Sequence, residues 1–408
     1  SQRVEIYRQY AHRLIQSGRA YFCYCSPERL ENLKRLQQEQ KKDFGYDRRC
    51  RNLTEEEKER FKQAGIKPVI RLKIPLEGST ILRDELLGAV ERKNEDVNPD
   101  PVLLKSDGFP TYHLANVIDD HLMEITHIMR AQEWISSGPL HVILYTSFGW
   151  EPPKYCHLPM VLGTDGHKLS KRHGATSIKE FRTAGYLPEA LINYISLIGW
   201  SYDDSKEFFT VQELTTLFTL EKLNKAPGVF DYKKLDWFNG QYIRMKDNKA
   251  LLDALIPFLI KDGIVHSPLT EEEERLLQGA LPLVKERLKT LSEVSELAGF
   301  LFKDIDEYRL EDVIPKKLEA ASTLKTLKAV REALDGFETR TDEENETVMR
   351  RTAEELGIKL GEMLMPLRVA LTGSRVSLPL FESLRVLGLD KAFERIDRVI
   401  ELLRNEVE

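Results

Sequence analysis

The chain has 408 residues, of which 41% are hydrophobic and 31% charged, and its net charge is −6. That length supports two or more domains at roughly 100–200 residues each, and the acidic balance excludes a protein that coats nucleic acid through its overall field, while leaving room for local basic sites. No apolar run reaches the length of a membrane span, and four cysteines make no disulfide framework. A reducing cytoplasm, or an organelle matrix, fits such a chain.

The opening SQRVEIYRQYAHRLI reads as an amphipathic helix rather than a signal peptide: Val4, Tyr7, Ala11 and Leu14 share one face, and Gly18 ends it. Ser26 is a helix cap followed by Pro27, with Leu30, Leu33 and Leu36 at helical spacing. Thr54 and Glu57 form a capping box before a helix that Gly65 stops. VIRLKI, Val69 to Ile74, alternates like a half-buried strand, and Val102 to Leu104 is a second short apolar run. From Thr111 apolar runs alternate with helical segments, the texture of an α/β layer with a parallel sheet. Pro188 opens another helix, and Thr210 with Glu213 makes another capping box. Past about residue 245 the patterns are helical throughout: Leu251–Ile260, Glu271–Leu283, Lys316–Leu334 and Asp342–Leu356. A last helix has Phe393, Ile396, Ile400, Leu403 and Val407 in steps of three and four. The fold class is α/β followed by all-α.

Four clusters carry candidate chemistry. In HKLSKRHG, Lys168, Lys171 and Arg172 sit in a loop bounded by Gly166 and Gly174. Two ammonium groups on flexible stems suit a polyphosphate, and a solvated surface turn is the plain alternative. In TYHLANVIDDHL, Tyr112 and Asn116 share a helical face and can orient a small polar ligand; otherwise Tyr112 is core, Asn116 caps a turn, and Asp119 and Asp120 face water. In MRAQEW, the Arg130 fork fits a carboxylate, and Glu133 and Trp134 a purine or ribose; otherwise this is a helix start with a surface arginine. Cys23, Cys25 and Cys50 resemble part of a zinc site, or are three reduced structural thiols; the position two after Cys50 holds Asn52, a poor ligand.

The segments KSDGFPTYHLANVIDDHLMEITHIMRAQEW, LYTSFGWEPPKYCHLPMVLGTDGHKLSKRHGATSI, LPEALINYISLIGW and FDYKKLDWFNGQYI together resemble bacterial or organellar glutamyl-tRNA synthetase, in collinear order over essentially all 408 residues. The resemblance implies a class I Rossmann catalytic domain split by an α+β acceptor-stem-binding insert, then a stem-contact region and a helical anticodon-binding half. On this chain the expected parts are residues 1–20, the end of the first Rossmann half; 21–104, the insert; 105–165, the second Rossmann half; 166–245, the stem-contact region with the KLSKR loop; and 246–318 and 319–408, two helical anticodon-binding domains. It implies ATP-dependent ligation of L-glutamate to tRNA-Glu through a glutamyl-adenylate, with Mg²⁺ and ATP, in a cytoplasmic monomer without a membrane partner.

The resemblance also assigns residues. Lys168, Leu169, Ser170, Lys171 and Arg172 match the family's ATP loop, Lys168 and Lys171 being catalytic, and Glu133 and Trp134 match positions near ATP. Tyr112, Asn116 and Arg130 match glutamate-site positions. Cys23, Cys25 and Cys50 match the zinc site of some members, in which the position of Asn52 is usually a ligand. Arg48, Arg49 and Arg51 form a local basic cluster expected to meet tRNA, with ordinary solvated charge as the plain alternative for each. The family's His-x-Gly-His motif is absent from these 408 residues, so the chain as written is expected to bind tRNA without charging it. A non-catalytic tRNA-binding fragment is therefore the alternative reading.

Overall fold

A computed structural model describes residues 2–408, which divide into two compact units. Of these, the first comprises residues 2–168, 197–206 and 215–229; the second comprises 169–196, 207–214 and 230–408.

The first unit opens with α1 (Val4–Gln16), which buries Tyr7, Ala11 and Leu14, and continues into β1 (Ala20–Cys23). Next come α2 (Pro27–Glu39), capped by Ser26, and α3 (Glu55–Gln63), capped by the Thr54–Glu57 box. The strand β2 (Val69–Leu72) leads to the ribbon β3 (Ser79–Asp84) and β4 (Gly88–Lys93) and then β5 (Val102–Leu104). Then follow α4 (Tyr112–Leu122), β6 (His127–Ala131), α5 (Gly138–Phe148), β7 (Lys154–Leu158) and β8 (Val161–Leu162).

Two sheets carry this unit. β1, β2 and β5 form an antiparallel sheet with β2 in the centre. The other runs β4-β3-β7-β6, with β6 and β3 both parallel to β7. The ribbon that the sequence groups with the insert thus hydrogen-bonds to the sheet that carries Arg130. One finding corrects the expectation for VIRLKI. As a central strand β2 is buried on both faces, and Arg71 lies inside, donating to the Asp100 carbonyl at 2.9 Å with its guanidinium 3.8 Å over the Tyr46 ring.

Asp100 organises the region around that strand. Its fully buried carboxylate accepts from Tyr21 Oη at 2.8 Å, Ile74 N at 2.9 Å and Arg51 Nη1 at 3.0 Å, and Arg48 Nε stands 3.6 Å away.

The remaining elements in chain order are α6 (Ile178–Thr183), α7 (Pro188–Ser196), α8 (Val211–Leu217) and β9 (Gly228–Val229), which pairs with β8. After these come α9 (Tyr232–Met245), α10 (Asn248–Lys261), α11 (Glu271–Lys285), α12 (Val294–Ala298), α13 (Leu310–Val313), α14 (Ala320–Ala333), α15 (Asp342–Leu356), α16 (Leu360–Thr372), α17 (Leu380–Leu387) and α18 (Leu389–Val407). The expected helix from Lys316 begins only at Ala320, because residues 315–318 close a turn first, Leu318 N donating to Pro315 O. The second unit has one continuous apolar core from Leu187 to Leu403. Arg395 on α18 is buried inside it, and its guanidinium donates to the carbonyls of Leu371, Phe300 and Lys303.

Removing the Asp100 carboxylate leaves Arg51 and the Tyr21 hydroxyl without their acceptor. Asp100→Ala should destabilise the first unit by about 3–5 kcal/mol, the usual cost of stranding one partner of a buried pair. Amide hydrogen exchange checks it: β2 should lose protection while α18 keeps its own.

Candidate active site

Arg130 lies on β6, and its setting follows from one buried carboxylate. Asp84 ends β3 where the chain turns toward β4. Its Oδ1 accepts from Leu86 N at 3.0 Å and Leu87 N at 2.9 Å. Its Oδ2 accepts from His157 N at 3.0 Å and His157 Nδ1 at 2.7 Å, and both side chains are fully buried. An ionised carboxylate only accepts, so Nδ1 of His157 carries the proton. A guanidinium only donates, so Nε2 accepts from Arg130 Nε, 3.0 Å away. His157 is therefore the neutral Nδ1–H tautomer. Burial is the main cause that lowers its pKa, opposed by the Asp84 bond and aided by the Arg130 charge.

The rest of the guanidinium is also engaged. Nη2 donates to Trp134 O at 3.1 Å and Ser137 Oγ at 3.3 Å. Nη1 has no hydrogen-bond partner among the described residues. The sequence suggests a surface arginine or a two-pronged fork. The structure instead holds three N–H bonds inside the protein and presents one NH₂ group.

Other expected site residues gather nearby in the first unit. Tyr112, at the start of α4, is half exposed rather than core; its ring lies 5.5 Å from that of Trp134 and 5.4 Å from that of His113. Asn116 lies half-buried on α4, and burial raises the pKa of Asp120, with Asp119 adding to the rise. Asp119 does not face water freely: it accepts from Arg3 Nε at 2.9 Å and Tyr7 Oη at 2.8 Å, tying α4 to α1. Glu133 lies on the 3-10 turn after β6 and pairs with Lys168 Nζ at 3.0 Å.

The KLSKR loop follows a tight turn in which Gly163 N donates to His167 O and Gly166 takes a left-handed φ of +77°. Lys168 closes that turn in the first unit, and Leu169 opens the second. Lys171–His173 form one 3-10 turn, Ser170 N donating to His173 Nδ1 at 3.0 Å, and the Lys171 and Arg172 side chains are exposed. At Gly174, φ is +138° and a Cβ would lie 2.9 Å from the Tyr232 ring, whose hydroxyl donates to Ala175 O at 2.7 Å.

The three thiols do converge: the sulfurs of Cys23, Cys25 and Cys50 lie within 4.8 Å of one another. Asn52 is exposed, and the fourth donor is instead the Tyr46 hydroxyl, 3.3 Å from Cys23 Sγ and 3.5 Å from Cys25 Sγ. Three sulfurs and a phenol oxygen make a donor set that fits a tetrahedral zinc ion. The signal was present in YDRRC, where Tyr46 precedes Cys50 by four residues, but tyrosine is not a residue that ligand spacing searches for.

The basic cluster separates. Arg51 and Arg48 turn inward to Asp100, Arg48 from a left-handed backbone at φ +58°, while Arg49 is exposed.

The first unit thus holds a mixed sheet with a held arginine, and a helical core fills the second. The family model for tRNA synthetases class I (E and Q), catalytic domain, matches residues 1–237, and an anticodon binding domain matches 250–400. The glutamate--tRNA ligase of Borreliella burgdorferi is 54% identical over 404 residues, covering 99% of this chain and 82% of that protein. That of Treponema denticola is 50% identical over 419 residues, covering 98% and 83%. The crystal structure of a glutamate tRNA ligase from Elizabethkingia meningosepticum in complex with its amino acid superposes with a TM-score of 0.82 at 30% identity, covering 99% of this chain and 83% of that one. The chain belongs to the bacterial-type glutamate--tRNA ligase family. With a catalytic domain matched over residues 1–237 and a ligase 54% identical over 99% of the chain, neither the non-catalytic alternative nor the expectation of tRNA binding without charging is favoured.

Beside Arg130, His141 is fully buried, bonded through Nε2 to His113 Nδ1 at 2.9 Å, and its pKa is pushed down to about 3, mainly by burial and then by the Arg130 charge. The folded protein keeps His141 neutral while the unfolded chain protonates it near 6.5. Below that pH the unfolded state binds more protons, so this contribution to stability is full above about 6.5 and falls as pH drops toward 3, by at most about 1.4 kcal/mol per unit. Urea unfolding against pH should show a shallower acid limb in His141→Gln than in the native protein; equal slopes would contradict the burial of a neutral imidazole.

Proposed function

We propose that the chain catalyses ATP-dependent ligation of L-glutamate to tRNA-Glu through a glutamyl-adenylate. The observation that carries the reading is Arg130: an arginine locked by three bonds inside the protein, with one NH₂ group left to meet a carboxylate, in a chain 54% identical to a glutamate--tRNA ligase. In the proposed reaction a glutamate α-carboxylate oxygen attacks the α-phosphorus of ATP, the bond to the β-phosphate breaks, and pyrophosphate leaves. The 2′-hydroxyl of the terminal tRNA adenosine then attacks the activated carbonyl, and AMP leaves.

No side chain needs to become a nucleophile. Catalysis is positioning together with stabilisation of charge on the phosphates. Tyr112, Asn116 and Arg130 hold glutamate, and Glu133, Trp134 and the loop Lys168–Arg172 receive MgATP. The Lys168–Glu133 pair is exposed on both sides. Such a pair contributes about 0–1 kcal/mol, so a triphosphate draws Lys168 away at little cost. In the insert, Arg49 meets the tRNA backbone, while Arg48 and Arg51 hold the turn that presents it. Helical residues 246–318 and 319–408 serve the anticodon side. Among the described residues no helix is long and apolar enough to cross a membrane, and the reading extends to a monomeric cytoplasmic protein.

Cys23, Cys25, Cys50 and Tyr46 would hold a structural zinc ion, which when bound cross-links β1 to the turn at Arg49–Asn52. Chelator competition followed by metal analysis tests it. Tyr46→Phe should lose zinc about tenfold more readily than the native protein, since a ligand is removed. Equal retention would reject Tyr46 as a ligand.

For the ligase reading, Lys171→Ala should slow adenylate formation by the equivalent of about 2.7–4 kcal/mol, the usual loss for one transition-state donor. Affinity for tRNA-Glu should stay the same. A native rate of pyrophosphate exchange would remove the loop from the active site.

A further inference from the structure

We propose that His157 and Asp84 are positioning residues for amino-acid recognition: neither touches glutamate, and together they set the plane and reach of Arg130. The proposal rests on the reading of Arg130 as a glutamate-binding residue and adds what makes it selective in orientation.

The geometry behind it is a directional chain across three strands. Asp84 ends β3, His157 is on β7 and Arg130 is on β6, and β7 pairs in parallel with both neighbours. Arg130 and His157 are register partners, side by side in the sheet. Each link has one permitted polarity. Asp84 Oδ2 fixes the proton on His157 Nδ1, which leaves Nε2 as a bare acceptor for Arg130 Nε. Nε sits at the root of the guanidinium plane, so a bond there fixes rotation of the group. The bonds of Nη2 to Trp134 O and Ser137 Oγ fix its far corner, and Nη1 is left as the outward group.

A surface ion pair would leave an arginine free to turn; a neutral acceptor buried in a strand does not. The cost of a misplaced binding group is large because recognition depends on alignment within a fraction of an ångström. Imidazole suits the position because it passes a hydrogen bond from one edge to the other while staying uncharged beside a cation.

Two amides separate the two edges of the ring. In His157→Asn the Nδ2 amide stands near the place of Nδ1, so the bond to Asp84 survives and the acceptor for Arg130 is gone. In His157→Gln the Oε1 oxygen stands near the place of Nε2, so the acceptor is kept. Pyrophosphate exchange with the full-length protein and tRNA-Glu, at varied glutamate and varied ATP, reads the effect. His157→Asn should raise the glutamate KM about tenfold, the scale on which supporting contacts act, with the ATP KM and kcat nearly native. His157→Gln should recover most of that loss. Asp84→Asn should act in the same direction as His157→Asn, because an amide can donate to Nδ1 and so drive the proton to Nε2, against Arg130. Recovery in the glutamine variant also separates positioning from misfolding, since a general loss of structure would affect both amides alike.

Arg130→Lys is measured beside them. An unchanged glutamate KM in that variant would reject the glutamate site itself. A raised glutamate KM in Arg130→Lys, with a native value in His157→Asn, would reject the positioning role and leave the site standing. Equal losses in the asparagine and glutamine variants, or an ATP KM that rises as much as the glutamate KM, would also overturn it. In the double variant His157→Asn/Arg130→Lys, the histidine change should add less than about twofold, as expected for residues acting through one contact.

Discussion

The sheet that carries Arg130 depends on one carboxylate, that of Asp84, buried at the end of β3 with four N–H donors around it. A charge in that position is tolerable only because each donor is in place. Two of the donors are the backbone amides of the turn toward β4, and two belong to His157 on the next strand. The carboxylate therefore closes a turn and sets a tautomer in the same act. From that tautomer follows the only polarity in which His157 and Arg130 can bond. Within the sheet, the hydrogen bond that holds the Arg130 guanidinium at Nε thus has a fixed polarity.

The region around β2 repeats the device with different partners. Asp100, also fully buried, gathers Tyr21, Ile74 N and Arg51 and draws Arg48 close. Arg71 reaches the carbonyl of the same residue and covers the Tyr46 ring. The phenol of Tyr46 in turn stands among the three thiols. A cluster of cations that looks like nucleic-acid contact in sequence is thus divided, two arginines serving the fold and Arg49 left outside. The division has a simple physical origin, since a buried carboxylate recruits the nearest guanidinium groups before solvent or a polyanion can.

What could be read from the sequence was local. The capping boxes at Thr54–Glu57 and Thr210–Glu213 form as their spacing implies, and the helix Asp342–Leu356 has the expected bounds, because those signals lie within one turn of backbone. Parallel pairing around β7 was legible as a texture of alternating apolar runs. Arg130 was legible through the motif around it. Its anchors were not: Asp84 and His157 are 73 residues apart, and each alone resembles an ordinary turn aspartate and an ordinary strand histidine. The burial of Arg71 and Arg395 is equally invisible in sequence. A charged side chain marks a strand or helix face as solvated unless its acceptors are known, and here those acceptors are carbonyls from distant turns. Tyr46 carries no metal-ligand signature in sequence, because cysteine and histidine are the usual zinc donors.

The most direct measurement of the central claim is the protonation of one ring. Nitrogen NMR of the protein labelled at histidine, with His157 assigned by comparison with a variant lacking it, distinguishes the three states of an imidazole. His157 should be neutral near pH 7, with the proton on Nδ1 and a bare, hydrogen-bonded Nε2. A proton on Nε2, or an imidazolium, would place an N–H against the Arg130 guanidinium and contradict the chain from Asp84 to Arg130.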